Sequence, residues 1–208
     1  MSEQEHADVL EELASLPTLA HPTASPDGDE IAVYYDITGR NELHVVDTET
    51  GELAQWSDGE VPRNARWHVE WGADGERVYY HLDEGGNEQN DLHALSRDGT
   101  VEPVVEMGGQ VALQSVGEDG ETLIVGSSRD GQMNLYRHDI PSGETTKITD
   151  YERAAGGAQL SPDCSRVAYS TNESDDFDNR DVYVADVDGS TPRNLRLGED
   201  GAESAPAD

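Results

Sequence analysis

Several residue types are scarce in this sequence, and each shortage excludes a class of protein. Among 208 residues there is one cysteine, Cys164, so an intrachain disulfide cannot form. No apolar run approaches the roughly 20 residues of a membrane-spanning helix. The acidic N-terminus lacks the basic segment that begins a secretory signal. We therefore expect no membrane association and a cytoplasmic location.

Basic residues are also scarce. The chain has 13 Lys and Arg against 45 Asp and Glu, a net charge of −32, and its single lysine is Lys147. This charge excludes nucleic-acid binding through a basic footprint and opposes docking on anionic membranes. High charge with 34% hydrophobic residues is typical of disorder. It is equally typical of a folded protein in molar salt, where the Debye length is about 3 Å. The regular repeat described next favours the folded interpretation.

A short turn sequence recurs four times along the chain. The turns contain Asp27, Asp74, Asp119 and Asp163, which are spaced by 47, 45 and 44 residues. Each turn joins two β-rich runs, a polar loop leads to a third run, and a glycine turn leads to a fourth. In a Pro-Asp-Gly turn, proline presets φ, aspartate caps the turn and glycine takes the φ > 0 position, which is the chemistry of a β-hairpin.

A four-stranded unit of about 45 residues cannot bury both of its faces alone, so copies must stack, as in the blades of a β-propeller. We therefore predict an all-β fold, a β-propeller of four-stranded antiparallel blades, with about four blades present as part of a larger ring. The predicted blades lie near 18–57, 64–106, 109–149 and 155–197, with the start of a fifth near 201–208. A short N-terminal helix is predicted over 1–17, because apolar residues share one helical face there. An unrelated β-sandwich is the alternative, but it does not explain four copies in phase.

The repeat resembles a known family. Ser-Pro-Asp-Gly, an apolar strand, a polar loop and a second strand form a unit that resembles the TolB-like propeller repeat over residues 18–208. The whole arrangement, with stretches such as Tyr35–Asn41 and Ser127–Gln132, is similar to the N-terminal propeller of the prolyl oligopeptidase family of serine peptidases, in its acylaminoacyl-peptidase-like haloarchaeal branch. Two departures are visible: Cys164 replaces the turn glycine in blade 4, and blades 2 and 3 lack the Ser-Pro pair.

The resemblance implies a role. Members of the family carry a Ser-Asp-His triad in an α/β-hydrolase domain after the propeller, with the nucleophile in a G-x-S-x-G turn. No G-x-S-x-G occurs in this sequence, and Ser127 and Ser128 follow Gly126 without the second glycine. We therefore expect no catalytic residue and no enzyme activity in this chain. Its expected role is a non-catalytic propeller portion that gates the access of short peptides to a hydrolase domain absent from the chain.

Two other functions stay open. A stand-alone TolB-like propeller module would bind a protein partner, and a propeller enzyme such as a glycosidase would need paired carboxylates at a central pocket. The chain stops where a fifth blade would begin, which predicts the front part of a longer propeller peptidase or a gene product cut short.

Candidate sites for metals are few. The seven histidines show no metal-ligand spacing. The densest acidic loop, Glu173–Asp181, lacks the ligand spacing of a calcium loop. We expect no metal site and no cofactor.

Three arginines form a candidate contact rim. Arg40, Arg129 and Arg180 fall in the same inter-strand loop of blades 1, 3 and 4. Because equivalent loops emerge on one face of a propeller, they would together meet carboxylates, peptide termini or a partner domain. The alternative is that each pairs with a neighbouring aspartate, such as Asp130 or Asp181.

Four blades of a larger ring would leave one uncovered face on blade 1 and one on blade 4. The residues predicted for these faces are Ile31, Val33, Leu43 and Val45 in blade 1, and Val167, Tyr169, Val182 and Val184 in blade 4. Large exposed apolar patches mark association sites. We therefore expect self-association through the open blade faces in high salt or strong binding of an environment-sensitive dye, whereas four blades that close into a small ring would give a compact monomer with little dye binding. A peptide or the missing hydrolase domain is the other expected partner.

The net charge gives a first testable expectation. Unscreened repulsion among carboxylates destabilises the compact state, so we expect cooperative folding in molar KCl and loss of β-structure at about 0.1 M salt, where the Debye length is about 10 Å. Circular dichroism across a KCl titration measures this. A flat signal from low to high salt would contradict the salt-adapted interpretation.

Overall fold

The computed structural model of the protein describes residues 15–83, 85–175, 179–195 and 206. The predicted helix over 1–17 and the predicted fifth blade near 201–208 fall outside these residues, apart from 15–17 and 206. The described residues form sixteen β-strands. No helix in this part of the chain is long and apolar enough to cross a membrane.

The strands follow one another at regular intervals. In chain order they are β1 (Leu19–Ala24), β2 (Glu30–Tyr35), β3 (Glu42–Asp47), β4 (Leu53–Gln55), β5 (Glu70–Trp71), β6 (Arg77–Asp83), β7 (Asn90–Ser96), β8 (Val101–Val105), β9 (Val111–Val116), β10 (Thr122–Ser127), β11 (Asn134–Asp139), β12 (Glu144–Lys147), β13 (Gly156–Leu160), β14 (Arg166–Thr171), β15 (Asp181–Asp186) and β16 (Arg193–Asn194). They form four sheets of four strands, and within each sheet consecutive strands are antiparallel neighbours. The prediction of an all-β fold built from four-stranded antiparallel blades is confirmed.

The turns between the first two strands of each blade form as their sequence dictates. Asp27 accepts hydrogen bonds from the Ser25 hydroxyl (2.6 Å) and the Asp29 N–H (3.1 Å), and Gly28 adopts a φ of 80°. The same carboxylate-to-backbone bond recurs at Asp74, Asp119 and Asp163. Hydrogen bonds from two serines lower the pKa of Asp163 to about 2. In this last turn Cys164 stands in the glycine position with a φ of 53°, in the left-handed region.

The blades are held together by three apolar clusters, one at each junction between successive blades. Tyr34 of blade 1 packs with Tyr80 of blade 2, and the adjacent Tyr79 belongs to the cluster shared with blade 3. Ile124 of blade 3 packs with Tyr169 of blade 4. The first strands lie side by side, β1 with β5 and β9 with β13, so they occupy the inside of the arc. Among the described residues, no apolar cluster joins blade 4 to blade 1.

The open faces of blades 1 and 4 differ in part from the sequence prediction. Leu43 and Val45 belong to the cluster between blades 1 and 2, and Val167 and Tyr169 to the cluster between blades 3 and 4. These four residues were assigned to the wrong side, because side chains alternate between the two faces of a strand.

The pairing of the strands identifies the open faces. Ile31 is opposite Val46, Val33 opposite His44, and Ala168 opposite Val184. The faces turned away from the neighbouring blades therefore carry Ile31, Val33 and Val46 in blade 1 and Val182 and Val184 in blade 4. Of these, Val33 and Val182 are buried, at 4% and 6% exposed. Self-association through these faces stays a prediction.

Arg97 of blade 2 ties that blade to blade 1 at the end that carries the Asp-Gly turns. Its guanidinium binds both carboxylate oxygens of Glu30, and its Nε donates to the Gly75 carbonyl at 3.0 Å. The same group lies 5.3 Å from the centre of the Trp56 ring and 5.6 Å from that of Trp71. A planar cation can satisfy a bidentate carboxylate and two aromatic faces at once, which an ammonium cannot.

We expect Arg97→Ala to lower the free energy of unfolding by about 1–2 kcal/mol, because a charge-assisted hydrogen bond and a cation–π contact are lost together. Arg97→Lys should recover only part of this loss. Urea unfolding in concentrated KCl measures both variants. Arg166→Ala is the matched control, since Arg166 is exposed on blade 4. An Arg97→Ala variant as stable as this control would contradict the bridging role.

Candidate functional site

The loops and linkers gather at one end of the blades, which we call the loop face. It consists of the loops between the second and third strands, at 36–41, 85–89, 128–133, 172–175 and 179–180, and of the linkers between blades, at 56–69, 106–110 and 148–155. The Asp-Gly turns lie at the opposite end because each blade is an antiparallel meander. Segments distant in sequence therefore meet at the loop face, as they must in a binding site.

In blades 1, 2 and 3, one polar residue near the start of the third strand fixes the linker that leaves the blade. The Glu42 carboxylate accepts a hydrogen bond from the Gly59 N–H at 3.1 Å. The Asn134 side-chain oxygen accepts from the Tyr151 N–H at 2.9 Å. In blade 2 the Asp91 carboxylate takes this role and accepts from the Met107 N–H at 3.0 Å. The linkers are therefore held in place although they contain no regular structure.

Arg40, the first residue of the predicted rim, is engaged within blade 1. One terminal nitrogen donates to the carbonyls of Gly59 and Val61, both at 2.6 Å, and its Nε lies 3.0 Å from the Glu42 carboxylate. Asn41 adds a bond from its amide to the Pro62 carbonyl at 2.9 Å. Arg40 therefore holds the linker between blades 1 and 2 and carries a neutralised charge.

The other two rim residues lie in the loops of blades 3 and 4. Arg180 donates from one terminal nitrogen to the Ser170 hydroxyl (3.1 Å) and carbonyl (3.2 Å) and to the Ala154 carbonyl (3.4 Å), so its partners belong to its own blade and the preceding linker. Arg129 is half exposed and lies 3.9 Å from Asp130, the aspartate that the sequence suggested. All three arginines lie at the loop face, and their action as a contact rim stays a prediction.

A pocket of about 500 Å³ opens at the loop face between blades 1 and 2. Its walls come from the second half of the linker, with Arg63, Arg66 and Trp67, and from the β6–β7 hairpin, with Asp83 and Asn90. A second cavity of about 400 Å³ on the blade 1 side shares Arg63 and Arg66. The volume of the first is within the range of about 300–1,000 Å³ typical of ligand pockets.

Sequence reasoning did not identify these two arginines. Their only signal was the Arg-x-x-Arg spacing in a linker longer than the others. The course of that linker decides which arginines bind backbone carbonyls and which face open space. Amino-acid composition does not predict this course.

A polar space of about 450 Å³ lies at the inner strands. It is bordered by His68 and Glu70 of blade 2, by Gln114 and Ser115 of blade 3 and by Gln159 of blade 4. Gln114 also accepts a hydrogen bond from the Gly157 N–H at 2.9 Å, and so joins blades 3 and 4. The axis of the arc is therefore lined by polar groups.

His81 lies between this axis and the pocket at the loop face. It is 1% exposed, and its Nε2 accepts a hydrogen bond from the Leu113 N–H at 2.9 Å, which joins blade 2 to blade 3. Burial and, secondarily, the nearby His68 lower the pKa of His81 to about 3. The imidazole is therefore neutral in the folded protein near neutral pH and acts as a hydrogen-bond acceptor.

Within the part of the chain that the structure describes, no three His, Cys, Asp or Glu side chains are grouped so as to hold a metal ion. The acidic loop 173–181 lies partly outside the described residues, but its Glu173 accepts a hydrogen bond from the Tyr183 hydroxyl.

Comparisons with known proteins agree with this architecture. A family model described as the TolB beta propeller domain matches residues 10–207. TolB from Acinetobacter baumannii superposes with a TM-score of 0.69 at 19% identity, over 86% of this chain and 43% of its own. Oligogalacturonate lyase from Vibrio parahaemolyticus gives 0.65 at 19% identity, over 86% and 52%. A prolyl endopeptidase gives 0.68 at 15% identity, over 95% and 32%. At these identities the likeness is one of fold, and the chain spans about half the length of these structures or less.

The buried His81 should make stability depend on pH. In the unfolded chain His81 takes up a proton near its ordinary pKa of about 6.5, whereas in the folded protein it resists protonation. As the pH falls from about 6.5 toward the lower pKa of the folded state, proton binding therefore favours the unfolded chain and the free energy of unfolding decreases. We expect a contribution of about 2 kcal/mol to disappear between about pH 7 and pH 5.

The test compares wild type with His81→Gln by urea unfolding at fixed KCl across this range. Glutamine has an oxygen that can accept the Leu113 N–H but has no titrating group. The variant should therefore lose less stability on acidification than wild type. Parallel pH profiles for the two proteins would show that His81 does not titrate as expected.

Proposed function

This chain belongs to the TolB beta-propeller family, and on that premise we propose that it is a non-catalytic propeller portion of a prolyl oligopeptidase-like serine peptidase. In that role it would gate the access of short peptides to a hydrolase domain. The family and fold rest on the match over residues 10–207. The peptidase connection rests on the sequence resemblance and on the superposition of a prolyl endopeptidase over 95% of this chain.

The observation that carries the gating role is the polar lining of the inner strands. Gln114, Ser115 and Gln159 border an open space where an apolar plug would otherwise seal the arc. Peptide bonds carry a donor and an acceptor at each residue, so a polar passage lowers the cost of moving an extended peptide through it. A folded protein would not enter a space of about 450 Å³.

The serines near the strand ends support a non-catalytic role. Ser127 is fully buried and its hydroxyl oxygen accepts from the Arg129 N–H at 3.2 Å. The Ser128 hydroxyl accepts from the Gln110 N–H at 3.0 Å. Both hydroxyls therefore serve the backbone, whereas a nucleophilic serine needs an adjacent general base.

A stand-alone binding module is the second candidate. It is favoured by the pocket between blades 1 and 2, which combines basic, amide and aromatic side chains outside the polar axis. Both candidates bind a ligand without transforming it within this chain. They differ in whether a hydrolase domain works beside the propeller.

Two measurements test the proposal. We expect no labelling of this chain by a fluorophosphonate serine-hydrolase probe, with an active serine hydrolase in the same KCl buffer as the positive control. Labelling would overturn the non-catalytic role. The sequence downstream of codon 208 separates the two candidates: an in-frame segment with G-x-S-x-G supports the peptidase, and its absence supports the module.

A further inference from the structure

Arg63 is one of three exposed arginines, with Arg166 and Arg193, whose side chains make no ion pair with a described residue, and of these three it is the one that lines the pocket between blades 1 and 2. Arg63 is exposed at the loop face and makes no hydrogen bond or ion pair with a described residue. Arg66 lies 3.6 Å from the Glu88 carboxylate, with the two side chains 62% and 75% exposed. An ion pair this long and this exposed contributes little, so both guanidiniums are available to a ligand.

The backbone that carries these arginines is held in place. Arg40 and Asn41 bind the carbonyls of Val61 and Pro62, and Val61 is 1% exposed. Arg63 follows directly after this anchored pair. The binding energy of a ligand would therefore not be spent on ordering the linker.

Asn90 adds a hydrogen-bonding group to the pocket. This residue is 6% exposed and lines the pocket, yet its side-chain amide makes no hydrogen bond with a described residue. The corresponding residue of blade 1 is Asn41, whose amide binds the Pro62 carbonyl. The Asn90 amide is therefore open to the pocket, where it can form a hydrogen bond with a ligand.

The other residues of the pocket wall restrict the kind of ligand that it can bind. Trp67 is half-buried, is packed against His81 with ring centres 5.4 Å apart, and offers an aromatic surface. Asp83 and Glu88 line the opposite side and repel a second negative charge. The pocket therefore suits one carboxylate on a small apolar body and disfavours polyanions.

We propose that this pocket binds a small monocarboxylate with an apolar body. The carboxylate pairs with Arg63 and Arg66 and accepts a hydrogen bond from the Asn90 amide, while Trp67 packs against the apolar part. The C-terminus of a short peptide and a free organic acid share this chemistry. The site lies outside the axis, so the proposal does not depend on the gating role or on a hydrolase domain.

The test is a calorimetric titration of the full chain in the lowest KCl concentration that keeps it folded, because salt screens exposed ion pairs. The probes are N-acetyl-alanyl-phenylalanine, its C-terminal amide, 3-phenylpropionate and inorganic phosphate. Loss of a pair of charged hydrogen bonds lowers affinity by about ten-fold or more. We therefore expect the peptide acid to bind at least that much more tightly than its amide and than phosphate. Comparing the peptide acid with 3-phenylpropionate identifies the source of the carboxylate.

Variants locate the site. Arg63→Ala combined with Arg66→Ala should weaken binding of the acid by about ten-fold or more, and Asn90→Leu by a smaller factor. Arg166→Ala combined with Arg193→Ala is the matched control, since it removes the same charge from exposed arginines on blade 4 and should leave affinity within about two-fold. Circular dichroism confirms that each variant is folded.

Three results would overturn the proposal. They are equal binding of acid and amide, an equal loss in the control variant, and no binding of either carboxylate below roughly 10 mM. Fluorophosphonate labelling would overturn the proposed non-catalytic role and leave this pocket unaffected, so the two failures are distinguishable.

Discussion

The structure depends on one constraint, which is that a four-stranded sheet of short strands is apolar on both faces and cannot exist alone. Tyr79 and Tyr80 are adjacent in β6, yet one belongs to the cluster with blade 3 and the other to the cluster with blade 1. In β10, Ile124 faces blade 4 while Leu123 faces blade 2. The period of two in a strand thus produces two interfaces per blade. Stacking is therefore the condition for burying either face.

Because the sheets carry the apolar packing, the loop face is free to carry polar groups. Its linkers are held by single side chains, such as Glu42 in blade 1 and Asn134 in blade 3. This arrangement separates two kinds of arginine. The Arg40 guanidinium is bonded to the backbone carbonyls that it supports, whereas Arg63, directly after the supported segment, faces open space. The candidate site therefore lies where the anchored part of this linker ends and its next arginines are free to bind a ligand.

Features that depend on neighbouring residues were predictable from the sequence, whereas features that depend on strand pairing and on contacts between blades were not. The hairpin turns and the four blades follow from Asp-Gly chemistry and a regular spacing, so they were predictable. The sides of the open faces were not, because the prediction placed Leu43 and Ile31 together, whereas in the sheet they lie on opposite faces. The pocket was also missed. Its members Arg63 and Asn90 come together only through the course of a linker that crosses the junction between two blades.

The carboxylates of the Asp-Gly turns add a consequence for how this charge could change in evolution. At Asp27, Asp74, Asp119 and Asp163 the negative group is also the acceptor that closes the turn. Neutral residues without an acceptor cannot replace it, whereas asparagine keeps the acceptor and removes the charge. A substitution that lowers the charge at these four positions must therefore keep an acceptor, whereas an exposed carboxylate without such a bond carries no such requirement. Part of the negative charge of this chain therefore has a structural role in the turns, in addition to the carboxylates on its surface.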